Sequence, residues 1–102
     1  MSKSKVALLV ELQAKPGKGD EVAAFLASAQ ALAAAEPETL VWFALRVDTD
    51  TFVVFDAFAD DHGRSAHLSG PIAAALLAHA DELLAQPPHI RRPDVLADTL
   101  PA

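Results

Sequence analysis

The sequence predicts an α+β fold with the element order β-α-β-β-α-β. Three observations predict it: stretches in which apolar side chains recur at every second residue, stretches in which they recur every three or four, and proline- or glycine-bearing breaks between them. Lys5 to Ala14 reads as the first strand, with Val6, Leu8, Val10 and Leu12 on one face and Ala7, Leu9 and Glu11 on the other. Lys15-Pro16-Gly17-Lys18-Gly19 ends it. A helix starts near Asp20 and Glu21, whose carboxylates suit the positive end of a helix dipole. Its residues Val22, Phe25, Leu26, Ala29, Leu32 and Ala33 make one apolar face for packing on a sheet. Glu36-Pro37-Glu38 stops it, because proline disfavours helix at the residue before it.

Leu40 to Val47 and Thr51 to Ala59 are rich in β-branched and aromatic residues, and Asp48-Thr49-Asp50 between them reads as a hairpin connection. Asp60-Asp61-His62-Gly63 opens a second helical region, interrupted at Gly70-Pro71 and resuming with Ile72, Leu76, Ala80, Leu83 and Leu84 on one face. Gln86-Pro87-Pro88 ends it. Ile90 to Leu96 is the expected last strand, with Pro93 marking it as an edge or an irregular start. This order is the ferredoxin-like one, an antiparallel sheet with helices on one face.

Composition narrows the function. The chain has 102 residues, no cysteine and a net charge of −6, and 52% of its residues are hydrophobic. That size corresponds to one domain spanning residues 1–102, with its core at about 5–97. Alanine accounts for 22 of the hydrophobic residues, so a modest set of larger side chains must build the core. An acidic chain argues against nucleic acid, whose phosphates are bound by clustered Lys and Arg. Lys3, Lys5, Lys15 and Lys18 gather near one end, where a solvated face is the simple reading. No stretch reaches the roughly 20 apolar residues of a membrane span, and Glu11, Lys15 and Lys18 interrupt any signal-peptide core. The absence of cysteine removes thiol chemistry, disulfides and Cys-based metal sites and fits a cytoplasmic protein.

The strands carry one feature beyond the element order. Phe52, Val54 and Phe58 lie opposite Val53, Phe55, Ala57 and Ala59 on the third strand, and Val41, Phe43 and Leu45 lie opposite Trp42 and Ala44 on the second. Both faces are therefore apolar, yet two helices cover only one. A second copy of the same sheet is the expected cover, giving a two-fold homodimer.

Taken in order, the first strand ending in Lys15-Pro16-Gly17-Lys18, the acidic helix start, Glu36-Pro37 before an aromatic-bearing strand, Phe52-Val53-Val54-Phe55-Asp56-Ala57-Phe58, and then Ala66-His67-Leu68 resemble the antibiotic biosynthesis monooxygenase domain family. The resemblance spans about Lys5 to Leu96. It implies a dimeric α+β barrel and, as in several members, oxidation of phenolic or quinol substrates by molecular oxygen with no metal or organic cofactor. Other members are isomerases of small carbonyl compounds or haem-degrading enzymes. Where the family usually carries Glu and Trp, this chain has Asp56 and Phe58. It also has neither Asn nor Tyr, the residues that with Trp hold and deprotonate substrate in characterised cofactor-free oxygenases of this type. Their mechanism cannot be this chain's, which leaves His and Asp to do the work.

His67 matches the family's histidine, and its ordinary pKa suits it to take a phenolic or α-carbonyl proton. Asp56 shares a strand face with Phe52, Val54 and Phe58, where desolvation raises a carboxyl pKa. Arg46, on the Trp42 face of the adjacent strand, is its expected ion-pair partner. Trp42, Arg46 and Phe58 are the expected substrate contacts; Trp42 and Phe43 point to opposite faces, so only one of them can line a given cavity. His62, His67, His79 and His89 lack metal-ligand spacing. His79 lies in the helical region where haem-degrading relatives place an axial ligand, although an exposed helix histidine is the simpler reading. The Pro16-Gly17-Lys18-Gly19 turn is not a phosphate loop. The expected activity is oxidation of a compact aromatic or quinol-like molecule by oxygen without a cofactor, with His67 as base and Asp56 orienting it or sharing its proton. An isomerase using the same pair, or a ligand-binding dimer without chemistry, are the alternatives.

Overall fold

The alternation in the sequence becomes three eight-residue strands. In a computed structural model, which describes residues 2–101, β1 (Val6–Gln13), β2 (Thr39–Arg46), β3 (Thr51–Phe58) and a short β4 (His89–Arg91) form one antiparallel sheet in the order β2-β3-β1-β4. β3 is thus the central strand against β2 and β1. Its register sets Trp42 and Leu8 on either side of Asp56, and Ala44 and Val10 on either side of Val54. A one-residue irregularity at Leu40, between Thr39 and Val41, separates the start of β2 from the rest of its ladder.

Each expected helical region is two helices. The first consists of α1 (Gly19–Ser28) and α2 (Gln30–Ala34), divided at Ala29, whose N–H is shared between the carbonyls of Phe25 and Leu26. No proline or glycine marks that division. The second divides at Gly70, as expected, into α3 (Asp61–Leu68) and α4 (Pro71–Leu83), with proline at the first position of α4. Asp60 caps α3 by accepting a hydrogen bond from the Gly63 N–H at 3.1 Å. No helix among the described residues is long and apolar enough to cross a membrane.

All four helices belong to one side of the sheet. Leu12, Phe52 and Val54 pack there against Val22 and Leu26 of α1, Leu83 of α4 and the following Leu84, with Trp42 bridging to a second cluster of Ala29, Ala33 and Ile72. On the other side Phe43 and Leu45 remain 51% and 48% exposed, flanked by partly buried Val41, Val53, Phe55 and Leu9. The uncovered apolar face expected from the strand pattern is present. β4 stops at Arg91 instead of continuing to Leu96, because Pro93 has no N–H to donate. The chain still follows β1 through an Ala7 N–H bond to the Pro93 carbonyl and a Val95 N–H bond to Lys5.

Candidate active site

Asp56 sits in mid-strand on the helix-covered face and is 1% exposed. Among the described residues one ionisable side chain is in contact with it. His67, in the last turn of α3 and 8% exposed, places Nε2 3.0 Å from Asp56 Oδ2. The approach is oblique, so the two form an ion pair while neither Asp56 oxygen gains a hydrogen bond of good geometry. Phe58, two residues along β3, sets its ring 5.5 Å from the imidazole. The other ring nitrogen, Nδ1, lies 2.6 Å from Glu36 Oε1, which also accepts a hydrogen bond from Thr39 Oγ1 at 2.7 Å. His67 is clamped between two carboxylates from different parts of the chain.

The electrostatics follow from that clamp. Burial by itself would lower the His67 pKa, but the close polar contacts with the Asp56 and Glu36 carboxylates, reinforced by both their charges, outweigh it and push the pKa up to about 9. Burial raises the Asp56 carboxyl above the ordinary carboxylate range; His67 opposes that rise and the charge of Glu36 adds to it.

Asp56 and His67 form one wall of a cavity of about 50 Å³ between sheet and helices. The rest of its lining is apolar, chiefly Leu8, Val10, Phe25, Ile72 and Leu76, except for Trp42. The indole Nε1 of Trp42 is buried without a partner, and Asp56 has no hydrogen bond of good geometry beyond its oblique contact with His67. Trp42 and Asp56 are directly opposed on neighbouring strands and both line the cavity. Ile90, 37% exposed, marks where the cavity approaches solvent.

The residues singled out in the sequence divide into two groups. The structure brings His67, Asp56 and Trp42 together. It does not bring Arg46 or Phe58 to the cavity. The expected Arg46–Asp56 pair is replaced by the His67 contact, because the register puts Arg46 opposite Phe52, four residues along β3 from Asp56. Arg46 instead bonds Asp20 at 3.0 Å and the Thr49 carbonyl at 2.9 Å, with its guanidinium over the Phe52 ring. Phe58, fully buried, supports the His67 ring from the core. His79 is exposed on α4 beside the Phe25 ring, and His62 and His89 pair with Glu38 and Glu11 on the surface. Among the described residues no group of three histidine or acidic side chains is placed to hold a metal. Glu36 is the residue that sequence reasoning missed, taking Glu36-Pro37 as a helix stop; its place in the family-like pattern was the available signal.

Comparison with solved structures places the whole chain among proteins of the same fold. The chain superimposes on the NE2512 protein of unknown function from Nitrosomonas europaea with a TM-score of 0.97 and 55% identity, over 100% of this chain and 99% of that one. It belongs to the family of the NE2512 protein. Beyond that family, an antibiotic biosynthesis monooxygenase matches with a TM-score of 0.78 and 16% identity over 89% of this chain and 98% of that one. Rv0793 from Mycobacterium tuberculosis matches with a TM-score of 0.81 and 20% identity over 93% and 98%. The NE2512-type chain therefore has the antibiotic biosynthesis monooxygenase fold, as the resemblance implied. No protein-family model matches it, and no curated protein does.

Proposed function

We propose that this protein is a cofactor-independent monooxygenase that binds the hydroxyl end of a small phenolic or quinol-type molecule between Trp42 and Asp56 and oxidises it with oxygen. One observation carries the reading: a buried indole N–H with no partner and, on the opposing residue of the next strand, a buried carboxylate whose one contact is the oblique ion pair with His67, both in an otherwise apolar cavity. Leaving such groups unmade costs about 1–3 kcal/mol each, and a ligand hydroxyl relieves both, accepting from Trp42 Nε1 and donating to Asp56. The apolar lining suits the ring. About 50 Å³ accommodates only the hydroxyl end, so the rest of the ring extends toward Ile90.

Both nitrogens of His67 are engaged by carboxylates, which moves the role of base from His67, its sequence-based assignment, to Asp56. Asp56 takes the hydroxyl proton, and the charged His67 behind it steadies the site. The phenolate, electron-rich at its ring carbon, reduces oxygen by forming a carbon–oxygen bond. Asp56 returns the proton to the resulting peroxide, and the O–O bond breaks as the hydrogen on the oxygenated ring carbon leaves as a proton, giving the quinone and water. One oxygen atom ends in product and the other in water, and the substrate supplies all four electrons. A second copy over the open sheet face completes the working unit as a homodimer.

Oxygen uptake with a panel of hydroquinones and naphthols tests the reading, with Asp56→Asn as the control. The expected result is uptake by the wild type that the variant loses. Turnover of a carbonyl substrate under nitrogen, with no uptake in air, would replace oxidation by isomerisation at the same pair.

A further inference from the structure

The proposed chemistry uses the cavity side of His67 and leaves its other side unexplained. That side faces outward, where Glu36 is 18% exposed in a cleft of about 130 Å³ bounded by Pro37, Thr39, Ala66, Gly70 and Pro71. We infer that Glu36 is a positioning residue for this site: by gripping His67 Nδ1 from the cleft it holds the ring with Nε2 on Asp56 and keeps the imidazole charged. The inference rests on the reading of Asp56 as the base.

Two features support it. Glu36 is itself immobilised, because the Thr39 hydroxyl donates to the same Oε1 that meets His67. And the contact of His67 with Asp56 is oblique, so the Glu36 bond is the better aligned of its two polar contacts and fixes the plane of the ring. The groups that face the imidazole are Asp56 from β3 and Glu36 from the α2–β2 connection. Nearby charges are turned elsewhere: Arg64 on α3 bonds Asp61 and the Ala7 carbonyl, and His62 pairs with Glu38.

Because the cleft is open, a carboxylate removed from it can be replaced from solution. In Glu36→Ala, ¹⁵N spectra of the ring nitrogens at about pH 7 are expected to show His67 losing its doubly protonated form. Turnover of hydroquinone is expected to fall on the order of 10- to 100-fold in kcat with KM little changed, as for a misplaced catalytic group. Added formate should restore both signals saturably. Glu36→Gln fills the gap, so formate should not rescue it, and it serves as the comparison if the alanine variant does not fold. Wild-type His67 spectra in both variants would overturn the inference, and so would altered spectra in a folded Glu36→Ala protein that formate leaves unchanged. The spectra need no substrate, so a wild type without oxygen uptake would sink the oxidation reading while Glu36 is still judged on the ring.

Discussion

At the residue scale the site is a set of unbalanced polar atoms, and each imbalance has a measurable consequence. Trp42→Phe keeps an aromatic ring, removes the orphan N–H and shortens the side chain that bridges the two core clusters. A loss of about 1–2 kcal/mol is expected in denaturant melts, while the KM for a hydroxylated ligand rises about tenfold, the worth of roughly one hydrogen bond. Asp56→Asn keeps the shape and removes the base, and kcat is expected to fall about 10²- to 10⁴-fold. The clamp on His67 also gives folding a pH dependence of definite sign. Its folded pKa of about 9 lies above its ordinary 6.5, so the stabilisation is fully present below 6.5 and is lost as pH rises through about 9. Asp56, also raised, acts with the same sign, but its share begins to be lost already as pH rises above its ordinary 3.8. Thermal melts between pH 6.5 and about 9 should therefore show Tm falling with pH, and His67→Gln should flatten the slope. His67, Asp56 and Trp42 were legible in the sequence because strand parity and a family-like pattern marked them. Arg46 was misjudged because parity fixes a face and says nothing of distance along a strand. Glu36 was missed because a carboxylate before a proline looks the same whether it ends a helix or holds a histidine.

At the element scale the fold was legible wherever turn chemistry and alternation agreed, and less so where alanine dominated. The hairpin at Asp48–Asp50 and the break at Gly70 stand where the sequence puts them. The division at Ala29 does not show in the sequence, since an alanine-rich segment has nothing to mark a tightened turn. What positions α1 is a close approach. A Cβ on Gly19 would lie 2.1 Å from the Thr49 carbonyl oxygen and 2.8 Å from Asp50 Oδ1, so the first turn of α1 rests directly on the β2–β3 hairpin. Gly19→Ala must push helix and hairpin apart, and a loss of about 2–3 kcal/mol is expected in urea unfolding. Asp60→Ala gives a smaller expected loss of about 1 kcal/mol by removing the cap of α3, the helix that carries His67. If Gly19→Ala melted like the wild type, the hairpin could not be the seat of α1.

At the scale of the whole molecule, the open sheet face decides whether the chain works alone. Phe43, Leu45, Phe55 and Val53 form a continuous apolar surface, and Phe43 alone leaves half of its area to water. A two-fold partner would bring this surface against itself, so one substitution on it acts twice. Phe43→Glu would put a carboxylate from each copy into a desolvated interface. The expected outcome is a shift from dimer to monomer in sedimentation at micromolar concentration. Leu77→Glu, on a more exposed leucine of α4, should leave the dimer unchanged. Phe43 points away from the cavity while its neighbour Trp42 points into it, so the monomer should retain the His67 ring spectrum and the Asp56 contact. A Phe43→Glu protein that stays dimeric would mean that the copies meet elsewhere, with Leu77 on α4 or the 96% exposed Leu96 of the C-terminal segment as the next surfaces to charge. A monomer that keeps the ring spectrum but loses oxygen uptake would instead place the partner's contribution in the chemistry.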